Sequence, residues 1–374
     1  YVMAELKNEG LPFWIFSTYP ELRTTTWKGA EGPHAIVDIL HPVFLKLAAR
    51  YLEAFIRATK PFYQSEGGPV FAIQIDNEIG MLDWVNNKPT LTDDVTDALG
   101  DAFDHDTQMP AQGKSLLFHD RLGRIMRARF KDYANRLKDV FDRQGVKDMI
   151  YMANIHGTSG GRSKSFPIGI SQLLDVINDD AFVGGTDVYY DDITLRTFQD
   201  VIIANAFFKA SIGPDKPMTA LEFGVGDGNY GDDLHGHQME SSNAFRLRMH
   251  IAQGHRMVNN YLFSGGINPH LRVLANDGND RIAITGERHG FAAPVSHTGE
   301  PRYTYKTIKE TQTTLKAMSS LLLRMDKHAD VVFGFVPDDY MTEYRVPDDD
   351  AVKDLVDQLQ MHRSSVVWDR LAKG

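Results

Sequence analysis

Five short, nearly continuous apolar runs alternate along this chain with longer stretches of helical periodicity, and that alternation constrains its fold more than any other feature. The runs are Pro69–Ile75, Met149–Ala153, Phe182-Val183 through Val188-Tyr189, Pro217–Phe223 and Met257–Phe263. Between and around them, apolar residues recur at helical spacing. Phe44, Leu47, Ala48, Tyr51, Leu52 and Phe55 follow Pro42, and Leu122, Ile125, Met126, Phe130, Tyr133, Leu137 and Phe141 end at Gly145. Further helices are expected through Phe198–Phe207, Ala244–Ala252 and around Ile308, Leu315 and Leu322. Strands without polar alternation are buried on both faces, and helices between them act as crossovers, so the pattern predicts an α/β fold with a parallel sheet. Five strands by themselves fit a doubly wound sheet as well as a barrel.

The polar residues favour the barrel. Successive strands deliver Asp76-Asn77-Glu78, then Asn154 and His156, then Asp187, Tyr189 and Tyr190, then Glu222, then Asn259 and Tyr261. Polar and aromatic groups at the carboxyl ends of consecutive strands are how a (β/α)8 barrel assembles an active site. Composition narrows the chemistry. The 374 residues contain no cysteine, which excludes disulfides, thiolate nucleophiles and Cys-ligated metal centres. A net charge of −10, from 40 basic and 50 acidic residues, argues against a nucleic-acid or anionic-membrane surface. No stretch reaches the ~20 apolar residues of a membrane span. No cofactor and no metal is implied. The chain opens Tyr1-Val2-Met3-Ala4 without a leader pattern, and the absence of cysteine is compatible with cytoplasm or secretion alike.

Glu78 and Glu222 are the candidate catalytic pair. Cleavage of a glycosidic bond needs one carboxyl that donates a proton to the leaving oxygen and one carboxylate that attacks the anomeric carbon or activates water. Both residues end buried runs, which sets the catalytic reading level with that of ordinary surface carboxylates at loop starts. Other motifs read as structure or solvent. Gly224-Val225-Gly226-Asp227-Gly228 lacks the helix and acidic residue of a dinucleotide loop. His156-Gly157 with Gly160-Gly161 and Arg162 reads as a loop rather than a phosphate cradle. His235-Gly236-His237 beside Asp232, Asp233 and Glu240 lacks structural-zinc spacing. Asp93, Asp94, Asp97, Asp101, Asp104 and Asp106 lack the order of a calcium loop and read as a solvated insertion.

Five phrases, in order, resemble the glycoside hydrolases of family 35, the β-galactosidase family. Gly67-Gly68-Pro69-Val70-Phe71-Ala72-Ile73-Gln74-Ile75-Asp76-Asn77-Glu78-Ile79-Gly80 is similar to the family's acid/base segment, in which Gly-Gly-Pro runs into Gln-(Val/Ile)-Glu-Asn-Glu-Tyr-Gly. Ala4-Glu5-Leu6-Lys7-Asn8-Glu9-Gly10-Leu11-Pro12-Phe13-Trp14, with Arg23 following, resembles the phrase that ends the preceding strand. Pro217–Phe223 resembles the nucleophile strand, Val258–Asn268 the last strand, and Ala293-Pro294 with Gly299 and Tyr303 the phrase before the final helix.

The resemblance implies a (β/α)8 TIM barrel of the large retaining clan. Glu78 would be the acid/base on the fourth strand and Glu222 the nucleophile on the seventh. Position 1 would fall at the end of strand three, so that the first strands are lacking in this fragment. Residues 1–327 would form the partial barrel, and 328–374 would begin a second α/β domain, flavodoxin-like as in the related family 42. Within that tail, a strand over Asp330–Pro337 and a helix capped by Asp348–Asp350 are expected. Ala4, Glu5 and Asn77 match family sugar contacts, and Tyr261, Tyr189 and Trp14 are further substrate-binding candidates, the aromatics by stacking. The expected activity is exo-acting, retaining hydrolysis of terminal β-galactosyl residues from a β-linked oligosaccharide or glycoside. The complete protein is open to homo-oligomerisation. Departures from the family bear on the sugar: a usual tyrosine, a galactose contact, stands as Phe291, Ile267 replaces a threonine, and Asp76 replaces the commoner glutamate. They leave an exo-β-glucosaminidase or other β-hexosidase of the clan as the alternative, and a non-catalytic carbohydrate-binding relative as the alternative of another class.

Overall fold

The computed structural model describes residues 1–7, 10–12, 14–33, 36–156, 168–189, 193–194, 198–226, 239–267, 288–289, 292–328, 334, 336–340, 344 and 346–347. They fall into two compact units. The first comprises Tyr1–Gly157, Ser163–Gly184 and Val336–Gly374; the second comprises Thr158–Arg162 and Gly185–Phe335.

In the first unit, strands β1 (Val2–Ala4), β2 (Ala72–Ile75) and β3 (Ile150–Ile155) pair in parallel. Val2 lies opposite Ile73 and Ala4 opposite Ile75, while Ala72 lies opposite Ile150. All four residues of β2 are buried, which is why its run carries no polar alternation. Two long helices cover these strands. Helix α1 (Pro42–Thr59) starts at His41, whose Nδ1 accepts the Val43 amide at 3.2 Å, and Pro42 occupies the first turn, where its missing N–H costs nothing. It buries Phe44, Ala48, Leu52 and Ile56, a four-residue repeat along one face.

Helix α2 (Asp93–Leu99) lies where the acidic run predicted a solvated insertion. Asp93 and Asp94 favour its positive N-terminus, and Val95 and Leu99 are buried on its inner face. Asp94 also pairs with Arg129, which reaches Asp38 at 2.6 Å. Asp101 is exposed, and hydrogen bonds from Lys114 and Arg121 hold its carboxyl down to about 2. Helix α3 (Ser115–Arg143) begins earlier than the periodicity suggested, because Phe118 is buried one turn before Leu122. It packs on α1 through Phe44–Tyr133 and Phe55–Phe141 ring contacts at 6.3 and 6.4 Å.

Strand β4 (Phe182–Val188) passes into the second unit after Gly184, and within that unit its residues Thr186, Asp187 and Val188 pair in parallel with β5 (Met218–Gly224). There β5 pairs in parallel with β6 (His255–Tyr261). Val188, Val201, Ala220, Phe223, Val225, Leu247 and Ile308 form the core of this unit. All but Val225, which follows β5, come from the strands and from helices α4 (Phe198–Ser211), α5 (Glu240–Gln253) and α6 (Tyr305–Ala317). Strand β6 starts two residues before its apolar run. His255 opens it fully buried, with its ring edge-on to His250 at 5.2 Å. Among the described residues, no helix is long and apolar enough to cross a membrane.

Of the expected tail strand, only Gly334, Val336 and Pro337 are described, and Pro337–Tyr340 form a 3-10 turn. The expected helix after Asp348, the His235-Gly236-His237 loop, the Gly160-Gly161 loop and Phe291 lie outside the described residues.

Candidate active site

At the end of β2 the chain enters a backbone conformation that side chains normally avoid. Asp76 has φ +58° and Glu78 φ +44°, both left-handed, and neither is glycine. Such residues persist only where their surroundings over-determine them. Here they do. The Asp76 carboxylate is fully buried, and its Oδ1 accepts the amides of Leu6 and Lys7 at 3.0 Å and of Asn77 at 2.9 Å. Its Oδ2 accepts the Tyr133 hydroxyl at 2.7 Å. Burial, and then the Asp76 charge, push the Tyr133 phenol well above its ordinary value, so it stays a donor. The amide of Glu78 donates to Asn154 Oδ1 at 2.8 Å, and Asn154 Nδ2 donates to Asn77 Oδ1 at 2.9 Å. Gln74 Nε2 also reaches Asn77 Oδ1, at 3.3 Å.

These bonds bring four of the expected residues to the carboxyl ends of neighbouring strands. Ala4, fully buried, ends β1, and its carbonyl accepts the Asp76 amide at 3.0 Å. Glu5 follows it, half-buried. Asn77 and Glu78 follow β2, and Glu78 is 7% exposed. Its Oε1 lies 2.5 Å from Nδ1 of His156, the residue after β3. Trp14 precedes a short helical turn, Ile15–Thr18, and is 53% exposed, so it is not a core residue. Gly80 completes the phrase for a packing reason: its φ is +85°, and a Cβ there would stand 2.5 Å from Cζ of buried Phe130.

The neighbouring ion pair was not legible in the sequence. Lys7 Nζ lies 2.9 Å from Asp83 Oδ1, with side chains 1% and 2% exposed, and Thr90 donates to the other Asp83 oxygen. Nothing distinguishes Lys7 from a surface lysine until the fold closes over it. Asn154 and His156 did carry a signal, since both follow a buried run.

In the second unit, Glu222 sits on β5 where the pairing is irregular on both sides. The register with β4 shifts between Thr186 and Asp187, and that with β6 shifts between Ala220 and Phe223. Irregularities of this kind re-aim a side chain. The Tyr189 hydroxyl donates to Glu222 Oε2. Burial, followed by the charge of Glu222, pushes the Tyr189 phenol well above its ordinary value, so it too remains a donor. The Tyr189 ring meets Tyr261 edge-on at 6.2 Å and packs on Gly224, where a Cβ would come within 3.1 Å of it. Asn259 Nδ2 donates to the Leu221 carbonyl at 2.8 Å, which fixes β6 beside the residue preceding Glu222. Behind the strand, buried Arg246 donates to the Gly224 carbonyl and to Asn243, and lies 5.5 Å from the Phe223 ring centre.

The sequence model of the Glycosyl hydrolases family 35 matches residues 1–315. A β-1,2-glucosyltransferase of Ignavibacterium album is 22% identical over 374 residues, 92% of this chain and 49% of the relative. An exo-β-D-glucosaminidase of Thermococcus kodakarensis is 27% identical over 99 residues, 25% of this chain and 12% of the relative. Among solved structures, a family 42 β-galactosidase of G. stearothermophilus superposes with a TM-score of 0.59 at 13% identity, covering 94% of this chain and 52% of that one. That likeness establishes the α/β fold of the TIM-barrel β-galactosidases. This chain spans about half the length of the glucosyltransferase and of the solved β-galactosidase. With its matching phrases spread from β1 to the final helix, the chain belongs to glycosyl hydrolase family 35.

Proposed function

We propose that the full-length protein is a retaining, exo-acting glycoside hydrolase that removes terminal β-galactosyl residues by double displacement. The hydrogen bond from Tyr189 to Glu222 carries the reading, because a buried phenol that stays protonated favours the ionised form of its partner, as a nucleophile requires. In the first step Glu78 gives its proton to the glycosidic oxygen while a Glu222 oxygen bonds to the anomeric carbon. The bond to the leaving oxygen breaks, and its electron pair stays with the leaving group. In the second step the Glu78 carboxylate takes a proton from water, the water oxygen bonds to the anomeric carbon, and the bond to Glu222 breaks. Configuration is retained by the two inversions.

Asn77 donates to the sugar 2-hydroxyl in this reading. Ala4 and Glu5 line the sugar, and Tyr261 and Trp14 offer aromatic faces. Tyr189 acts through its hydroxyl on Glu222 more than through stacking. Residues 1–327 are the catalytic portion and 328–374 open the following domain. Pro337 and Asp338 at its start bind Ser171 and Arg127.

Chemical rescue tests the roles. Glu222→Gly should lose turnover, and azide should restore it with an α-glycosyl azide as product. Normal turnover in that variant would end the assignment. A panel of nitrophenyl β-galactoside, β-glucosaminide and β-glucoside decides the sugar. Preference for the glucosaminide would replace galactosyl with the clan alternative. A second reading rests on the relative matched over most of this chain, which is a transferase. The same glycosyl-enzyme, met by a sugar hydroxyl instead of water, yields transfer. Aglycone release exceeding free-sugar release in the presence of a sugar acceptor would support it.

A further inference from the structure

We propose that Asp76 is a positioning residue that holds the acid/base Glu78 in register with the sugar-lining end of β1; the inference rests on the reading of Glu78 given above. The carboxylate reaches in three directions. Toward β1 it accepts the amides of Leu6 and Lys7, while the Asp76 amide donates to the Ala4 carbonyl, so the backbone on both sides of Glu5 is gripped. Along its own chain it accepts the Asn77 amide, which fixes the left-handed turn that presents Glu78. Toward α3 it accepts the Tyr133 hydroxyl. With the Glu78 amide held by Asn154 from β3, the ends of three strands become one hydrogen-bonded block. Without that block, the two positive-φ residues relax toward ordinary backbone, which swings Glu78 away from the leaving oxygen. A misplacement of about 1 Å can cost ~100-fold in rate.

A residue that only stabilised the fold would affect all substrates alike, whereas one that positions the proton donor affects those that need the proton. The test is therefore kcat/KM of the full-length Asp76→Asn variant on the phenyl and 2,4-dinitrophenyl glycosides of the sugar the wild type cleaves. Dinitrophenolate departs without protonation; phenolate does not. Asn keeps the side-chain shape and one acceptor oxygen but removes the charge. The expected result is a loss of roughly 100-fold on the phenyl glycoside and less than about fivefold on the dinitrophenyl one, within the usual worth of acid catalysis. Tyr133→Phe removes a single hydrogen bond and should shift the ratio the same way by about tenfold. It keeps the test decisive if Asp76→Asn folds poorly. Equal loss on both substrates, or wild-type ratios in both variants, would overturn the proposal. Glu78→Gly run alongside separates the two levels. If it lacks leaving-group selectivity, the reading of Glu78 fails. If it shows selectivity and the Asp76 and Tyr133 variants do not, only this inference fails.

Discussion

Tyr189 and Glu222 show how much of the proposed chemistry depends on single hydrogen bonds. A bond to a charged group is worth about 1.5–3 kcal/mol, so Tyr189→Phe should lower kcat/KM roughly 10- to 100-fold. Without the donor the ionised form of Glu222 is less favoured, so the acidic limb of the pH profile should move to higher pH. An unchanged profile and rate would show that the phenol does not act on the nucleophile. Gly80→Ala tests the backbone at the other carboxylate. The left-handed φ and the clash with Phe130 add, and a loss of about 2 kcal/mol in thermal or denaturant unfolding is expected. At this scale the sequence was partly legible. Glu78 and Glu222 stood out because each ends an apolar run. Asp76 showed only as a strand-end residue and a departure from the family's glutamate; its role did not show, because an aspartate that binds four donors is written with the same letter as one in solvent.

Strands and helices were more legible than single contacts, since burial on two faces leaves a mark over several residues. The third, fourth and fifth strands lie within a residue or two of their apolar runs, and the second ends with its run but begins three residues into it. Where boundaries moved, polar residues had taken up interior positions. Strand β6 opens on His255, and α5 buries Asn243, Arg246 and His250. Helix α2 was missed because its acidic outer face outweighed the short apolar one.

The His250–His255 pair gives these elements a pH dependence. Burial lowers His250 from 6.5 to about 4 and lowers His255 well below its ordinary value. A depressed folded pKa means that stability is full above the unfolded value near 6.5 and falls as pH drops through 4. For His250 alone the loss is on the order of 3 kcal/mol. Thermal unfolding between pH 7.5 and 4 should show it, and His250→Gln should flatten the decline. A variant with the same pH slope as the wild type would contradict the burial of a neutral imidazole.

At the scale of the molecule, the family's phrases told more than periodicity did. Alternation alone left a doubly wound sheet open, and the parallel β1–β2 pairing confirms that Ala4-Glu5 and Asn77-Glu78 end adjacent strands. The central claim is that Glu222 forms a covalent glycosyl-enzyme. It is tested most directly by treating the full-length protein with 2-deoxy-2-fluoro-β-galactosyl fluoride and mapping the adduct by mass spectrometry. One fluoroglycosyl group on the peptide carrying Glu222, absent from Glu222→Gly, is the predicted result. A label on another residue, or no label from a protein whose product forms with inverted configuration, would contradict it.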